Sequence, residues 1–235
     1  MRALGCLALI AAALAGGCRI PGDPEGTLAR AEGGAMRVGV TEADPWVELG
    51  PDGRPTGGVE VELVRRFGRD IGARVAWVDG GEEELVSAMK EGSLDLLIGG
   101  LTDKSRWEKD MALTRPYLDT RSVVGMPEGR PLSDELDGMS VVAELGTEEE
   151  GLLARKTGAE VRPVTDLAVA KGRAAAVPDY LLDDLRLRET DVELKREKHV
   201  MAARRGENAF LVRLERFLLN REQEIERLLR REGKP

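Results

Sequence analysis

Residues 95–117 read DLLIGGLTDKSRWEKDMALTRPY, and they indicate an α/β architecture. The apolar run at 96–98 predicts a short buried strand that ends on Gly99-Gly100. A hydroxyl follows at Thr102 and an arginine at Arg106. Open α/β sheets bind ligands outside the carboxyl ends of their strands, and the rigid guanidinium fork suits a planar carboxylate. The segment therefore predicts a sheet with a carboxylate-binding site at the end of this strand.

The segments on either side alternate between strand and helix patterns. The predicted strands are 37–41, 74–78, 94–98, 139–143, 160–163, 174–177 and 199–203. The predicted helices are 60–71, 82–90, 147–156, 166–171, 180–187, a helix from 208, and 221–231. Such alternation predicts mostly parallel sheets flanked by helices.

This segment has, in order, a strand, Gly-Gly, Thr102, Arg106 and LTRPY at 113–117. Such an order resembles the extracytoplasmic solute-binding proteins of polar amino acid ABC transporters. The resemblance covers roughly residue 36 to the C-terminus. It implies the two-lobed type 2 periplasmic-binding-protein fold, in which each lobe is a mostly parallel sheet flanked by helices and the lobes close about a hinge. We expect lobe one at 36–118 plus 204–235 and lobe two at 119–203.

The first residues have the pattern of an export signal. Met1-Arg2 precedes an apolar run that ends near Leu14, and small residues then lead to Cys18. A cysteine in this place resembles a bacterial lipoprotein box. We expect a signal peptide at 1–17, lipidation of Cys18 and a Gly- and Pro-rich tether at 18–35, and hence an extracytoplasmic protein anchored to a membrane. A plain signal peptide or an uncleaved anchor is the alternative.

Composition limits the partners. The chain of 235 residues has 35 Lys and Arg against 43 Asp and Glu, a formal net charge of −8, which argues against nucleic acid because that partner needs a basic surface. A single histidine cannot build the usual metal cluster, and the sequence has no P-loop or Gly-x-Ser-x-Gly motif. We therefore predict no metal, no cofactor and no nucleic acid, and we expect a monomer.

In lobe one the resemblance implies four ligand contacts. Trp46, in TEADPW after the first strand, would cover the ligand's side chain. Thr102 and Arg106, with the carbonyl of Gly100, would bind the two ends of an amino acid, the carbonyl facing an ammonium and Arg106 facing the α-carboxylate. Two other interpretations stay open: Trp46 at a rim or core position, and Arg106 in a surface ion pair.

In lobe two, ELGTEEE at 144–150 resembles the family's Gln-x-Gly-Thr-Thr-x-Glu turn, where free N–H groups at a helix start bind an anion. Thr147 matches that pattern, but Glu148 stands where the family has its second threonine. Either Glu148 turns outward and its N–H still binds, or the ligand is not a standard α-amino acid. Asp179 is expected to bind the ligand's amine, or otherwise to cap a helix.

These features predict a binding protein that delivers an amino acid or related zwitterion, or a cationic amino acid, to an ABC permease without catalysis. One alternative is an enzyme on the same fold, such as a cyclohexadienyl-dehydratase-like lyase that uses Glu148 or Asp179 as its acid. The other is a ligand-sensing subunit of a membrane receptor.

Overall fold

The computed structural model describes residues 22–234, which form two β-sheets with helices on their faces. The predicted signal peptide at 1–17 and the predicted lipidation site Cys18 lie outside the described residues. None of the helices within 22–234 has the length and apolar character that crossing a membrane requires.

The strands, in chain order, are β1 (Ala35–Val40), β2 (Glu48–Leu49), β3 (Pro55–Gly57), β4 (Arg74–Asp79), β5 (Leu96–Ile98), β6 (Ala112–Leu113), β7 (Leu118–Pro127), β8 (Ser140–Glu144), β9 (Glu160–Val164), β10 (Ala175–Pro178), β11 (Leu187–His199) and β12 (Ala202–Ala203). The α-helices are α1 (Thr27–Ala31), α2 (Val59–Asp70), α3 (Glu82–Lys90), α4 (Glu148–Lys156), α5 (Asn208–Leu219) and α6 (Glu222–Glu232). Two short 3-10 helices lie at Leu167–Ala170 and Asp179–Leu181.

The first sheet has the strand order β4-β1-β5-β12-β6 and forms the first lobe. Strand β1 runs parallel to β4 and β5, whereas β12 runs antiparallel to β5 and β6. Apolar residues three and four apart on α2 face this sheet, and the Phe67 ring packs 5.9 Å from Phe210 and 5.3 Å from Phe217 on α5. The C-terminal helices therefore complete the core of the first lobe.

The second sheet has the order β11-β7-β10-β8-β9 and forms the second lobe. Strand β7 is antiparallel to β11 and β10, while β8 is parallel to β10 and β9. Successive residues of β7 point to opposite faces, so Val123 packs in one apolar cluster and Val124 in another. Each half of the molecule thus has its own sheet and its own core.

The chain crosses between the sheets twice, and the two crossings pair with each other. The N–H of Tyr117 donates to the His199 carbonyl at 3.0 Å, and the N–H of Thr114 donates to the Met201 carbonyl at 2.9 Å. The sequence predicts a second lobe that continues to residue 203, but Ala202 and Ala203 pair with β5 of the first sheet. The return to the first lobe therefore occurs before β12.

The structure also differs from the tether predicted at 18–35. The carboxylate of Asp23 accepts hydrogen bonds from the N–H groups of Ala209 (2.8 Å) and Phe210 (3.1 Å), and α1 buries Ala31 completely in the first core. These contacts satisfy free N–H groups at the start of α5. Gly- and Pro-rich composition does not reveal them, so residues 23–35 pack on the first lobe where the sequence predicted a tether.

Candidate functional site

A cavity of about 500 Å³ lies between the two lobes. The first lobe contributes Asp44 and Trp46 from the loop after β1, and the second lobe contributes Thr147, Tyr180 and other residues that follow its strands. This volume falls in the range of small-molecule sites. The cavity opens where carboxyl ends of strands from both sheets meet, as expected for an α/β ligand site.

Trp46 forms one wall of the cavity and is itself 7% exposed. Its ring lies 3.9 Å from the ring of His199, measured between centroids, with a tilt of 32°. His199 in turn shares a hydrogen bond of 2.8 Å between Nε2 and the Thr120 hydroxyl. Burial, together with the nearby charge of Lys195, lowers the pKa of His199 to about 4, so its ring is neutral at pH 7.

The turn at Gly99-Gly100 is held by a buried carboxylate on α2. Glu60 is completely buried and accepts hydrogen bonds from the N–H groups of Gly99 (2.8 Å) and Gly100 (2.9 Å) and from the Tyr117 hydroxyl (2.7 Å). Burial raises the pKa of Glu60, and these hydrogen bonds only partly offset that effect. Glu60 also donates its own N–H to the Trp46 carbonyl at 3.0 Å, so one residue positions both the turn and the wall of the cavity.

The second lobe presents a helix start and a group of carboxylates. Thr147 caps α4, since its hydroxyl accepts from the N–H of Glu150 at 3.4 Å and donates to the Glu144 carbonyl at 2.7 Å. Burial raises the pKa of the Glu144 carboxyl, and the nearby carboxylates of Glu149, Asp166 and Asp44 raise it further. Within residues 22–234, no three His, Cys, Asp or Glu side chains are placed to hold a metal ion.

Arg121, on β7, lines the same cavity. Its guanidinium donates to Asp179 at 3.2 Å and, through both terminal nitrogens, to Glu189, with one of these bonds at 2.9 Å. Two carboxylates therefore already balance the charge of this arginine.

Residues 36–231 match the model of a protein family described as bacterial extracellular solute-binding proteins, family 3. The chain belongs to this family. It is an extracellular solute-binding protein, and the mixed α/β lobes described above are the two-lobed type 2 periplasmic-binding-protein fold that the sequence predicted.

Solved structures share the fold of this solute-binding protein at low sequence identity. An ancestral cationic amino acid solute-binding protein is 17% identical, with 87% of this chain and 96% of that chain covered at a TM-score of 0.63. The L-cystine solute receptor of Neisseria gonorrhoeae, in its unliganded open conformation, is 16% identical, with 88% and 94% covered at a TM-score of 0.65. A curated relative, described as a probable histidine-binding protein of Campylobacter jejuni, is 21% identical over 116 residues. That match spans 48% of this chain and 45% of the relative.

The structure brings two of the predicted site residues, Trp46 and Thr147, to the cavity. Gly100 packs behind Trp46, and Thr102 forms a main-chain bridge with His199. The Arg106 side chain is 68% exposed, lies 3.9 Å from Glu82 and stacks on the neighbouring Trp107 ring, and it does not line the cavity. A ligand contact by Arg106, Thr102 or Gly100 stays a prediction.

The two predicted acidic contacts also lie off the cavity lining. Glu148 forms an ion pair with Lys195 and its side chain is half-exposed, and binding of a ligand by its N–H stays a prediction. Asp179 faces Arg121 on a smaller cavity of about 240 Å³. Both carboxylates are therefore engaged by basic side chains of the second lobe.

Sequence reasoning missed several residues that do line the cavity. Asp44 stands two residues before Trp46, and Glu144 precedes the predicted helix turn, so their positions after strands were a usable signal. Arg121 and Glu197 lie on strands that the sequence did not predict, and no local pattern pointed to them.

Gly100 gives a testable prediction. Its φ is +68°, and a Cβ there would lie 2.6 Å from Cδ1 of Trp46. We expect Gly100→Ala to lower the free energy of unfolding by about 2 kcal/mol, because the new methyl group adds left-handed strain and displaces the Trp46 wall.

Urea unfolding of Gly100→Ala should be compared with Gly81→Ala, where a Cβ meets nothing within 4 Å and φ is −69°. The control should unfold at nearly the wild-type midpoint. Equal midpoints for both variants would contradict the close packing of Trp46 on Gly100.

Proposed function

We propose that this protein binds a small polar solute of the amino acid type between its two lobes and delivers it to an ABC permease. The cavity of about 500 Å³ between the lobes is the observation that carries the proposal, because a solute there would touch both halves at once. A ligand bridging two lobes favours the closed arrangement by the free energy of its contacts with both. The printed names of the similar proteins refer to amino acids, which supports the same solute class.

The remaining parts of the proposal follow from the sequence. Export by residues 1–17 and lipidation of Cys18 would hold a monomer at the outer face of a membrane, where a solute meets the permease. Lobe one would comprise residue 23 to the first crossing plus the chain from β12 to the C-terminal helices, and lobe two the inserted segment between them. We propose binding without catalysis, since Glu148 and Asp179, the two candidate acids for a lyase, do not line the cavity and are paired with Lys195 and Arg121.

A thermal-shift screen of the purified mature protein against amino acids tests the proposal. A ligand at 100 times its dissociation constant adds about 2.7 kcal/mol of stability. For a protein of this size that corresponds to a rise in Tm of roughly 5–10 °C. Absence of a shift and of calorimetric heat for every amino acid would contradict the proposed solute class.

Arg106→Ala belongs in the same screen, with Arg69→Ala as a control at an exposed arginine outside the cavity lining. If Arg106 binds an α-carboxylate, its alanine variant loses the shift for α-amino acids while Arg69→Ala keeps it. An unchanged shift in Arg106→Ala would remove Arg106 from the site.

A further inference from the structure

The cavity between the lobes is strongly acidic. Its lining includes the side chains of Asp44, Glu144, Glu149, Asp166 and Glu197 against Arg121 and Lys234. Asp44 belongs to the first lobe, and the other four carboxylates belong to the second. Negative charge therefore approaches the cavity from both sides.

Arg121 and Glu197 are each already paired with side chains of opposite charge. Arg121 is bound by Asp179 and Glu189, and Glu197 accepts from Lys195 at 2.8 Å. We call the remaining four, Asp44, Glu144, Glu149 and Asp166, the cleft carboxylates.

The cleft carboxylates have only neutral partners. Glu149 accepts from the Ser122 hydroxyl at 2.6 Å, and Asp166 accepts from the N–H of Ala168 at 2.7 Å. Within residues 22–234 no Lys, Arg or His side chain forms an ion pair with any of the four. Lys234, the other basic residue of the lining, is exposed and is not paired with them. The pKa of Glu144 is raised, first by burial and then by the negative charges of Glu149, Asp166 and Asp44. The second cause reflects the mutual repulsion of the four carboxylates.

A second, independent feature of the cavity is a buried imidazole with one unpartnered ring nitrogen. His199 lines the cavity, is 3% exposed, and its Nδ1 has no hydrogen-bond partner among the described residues. A neutral imidazole has one acceptor nitrogen, and when Nε2–H donates to Thr120 that acceptor is Nδ1. His199 is thus neutral and adds no positive charge to the cavity, and the carboxylates of the lining suit a donor-rich cation.

We infer that the solute is an organic cation, with an ammonium or guanidinium group held between Asp44 of the first lobe and Glu144, Glu149 and Asp166 of the second. The inference rests on the proposed function and names the chemistry of its solute. Like charges on facing lobes disfavour closure of the empty protein. A bound cation removes that repulsion and attracts both lobes, so the positive group of the solute is the part that closes the cleft.

Calorimetric titration separates the cation from the rest of the solute. The wild-type protein is titrated with L-arginine, agmatine, L-lysine, cadaverine, L-glutamine and L-glutamate at fixed pH and salt. We expect a guanidinium or ammonium compound to bind at least about 30-fold more tightly than L-glutamine or L-glutamate. Agmatine and cadaverine lack the α-carboxylate of arginine and lysine, and at least one of them should retain binding.

Glu144→Gln and Asp44→Asn test the two sides of the cleft separately, and each should weaken binding of the preferred cation at least about tenfold. Glu160→Gln is the matched control, because Glu160 is an exposed second-lobe carboxylate that pairs with Arg162 outside the cavity lining. The control should keep the wild-type affinity. Because Glu144→Gln also removes repulsion in the empty protein, it should raise the ligand-free Tm by about 2 °C, which shows that the variant is folded.

Three outcomes would overturn the inference. The first is an affinity for L-glutamine or L-glutamate equal to that for the cations. The second is binding of L-arginine and L-lysine when neither agmatine nor cadaverine binds. The third is an unchanged affinity for the preferred cation in both Glu144→Gln and Asp44→Asn. If none of the six compounds binds, the inference fails, and the screen against all amino acids then decides the proposed function. Tight binding of L-glutamine or L-glutamate alone would instead keep the proposed function and reject the cation.

Discussion

We expect Glu60→Ala to lower the free energy of unfolding by about 3–5 kcal/mol. The carboxylate of Glu60 is completely buried and is the acceptor for the N–H groups of Gly99 and Gly100 and for the Tyr117 hydroxyl. Alanine would leave three donors without this partner in the core of the first lobe, and each buried donor left unpaired costs about 1–3 kcal/mol. Loss of these bonds would also release the turn on which Trp46 packs.

Glu60→Gln separates the hydrogen bonds from the charge. The amide oxygen can accept from both glycine N–H groups, and the amide nitrogen can donate to the Tyr117 oxygen. Since burial raises the pKa of Glu60, the ionised form is disfavoured there, and a neutral side chain of the same shape avoids that cost. We therefore expect Glu60→Gln to remain within about 1 kcal/mol of wild type.

Urea unfolding at neutral pH measures both variants, with Glu83→Ala as a control. Glu83 lies exposed in the first turn of α3, where its loss should cost at most about 0.5 kcal/mol. A Glu60→Ala midpoint close to that of the control would contradict the role of Glu60 as the acceptor that holds the Gly99-Gly100 turn.

The elements that the sequence predicted well are those with a local signal. Helix α2 was predicted at 60–71 and is observed at Val59–Asp70, and α3 was predicted and observed at 82–90. Both carry apolar residues at spacings of three and four, and that periodicity depends only on neighbours in the chain. The parallel strands of the two sheets likewise follow short apolar runs, which are also a local signal.

The two long strands β7 and β11 were not predicted. They pair with each other from Leu118 opposite His199 to Leu187 opposite Pro127, and register shifts interrupt the pairing between Glu189 and Lys195. Those irregularities destroy simple alternation, and β11 is dominated by charged residues. The pairing is a long-range property, so no short window of sequence contains it.

The predicted helix at 180–187 shows the same limit on a smaller scale. Its apolar spacing is present, but the chain forms a 3-10 turn at Asp179–Leu181 and reaches a positive φ of 54° at Arg186. The tight approach of β11 to β7 then fixes Leu187 in the core. Tertiary packing outweighed helix propensity here.

The sequence indicated some residues of the cavity but not its charge. Trp46 and Thr147 line the cavity, each after the carboxyl end of a strand, and their contact with a ligand stays a prediction. The direction of a long side chain such as Arg106 depends on its partner, here Glu82 at 3.9 Å, and chain order does not contain that information. Only the assembled lobes show that carboxylates from both sides share one cavity.

We expect Asp95→Ala to lower the free energy of unfolding by about 2–4 kcal/mol at pH 7. Asp95 is completely buried and accepts five hydrogen bonds, two from the Arg30 guanidinium, two from the Arg37 guanidinium and one from the Arg37 N–H. Both arginines remain partly exposed, so water can rehydrate them after the change and the cost stays below that of a fully buried pair. Because Arg30 lies on α1, the same bonds attach the N-terminal segment to the first sheet.

The pH dependence of the free energy of unfolding tests the role of Asp95 directly. Burial alone would raise the pKa of Asp95, but the hydrogen bonds from Arg37 and Arg30 outweigh it and hold the pKa below the ordinary value of 3.8. A carboxyl whose pKa is lowered on folding stabilises the protein above its unfolded pKa and loses that contribution as the pH falls through its folded pKa. Wild type should therefore lose stability below about pH 4 more steeply than Asp95→Asn, whose amide does not titrate.

Urea midpoints from pH 7 to pH 3 test this expectation, with Asp52→Asn as the exposed control. Parallel curves for wild type and Asp95→Asn would show that Asp95 does not anchor α1 electrostatically.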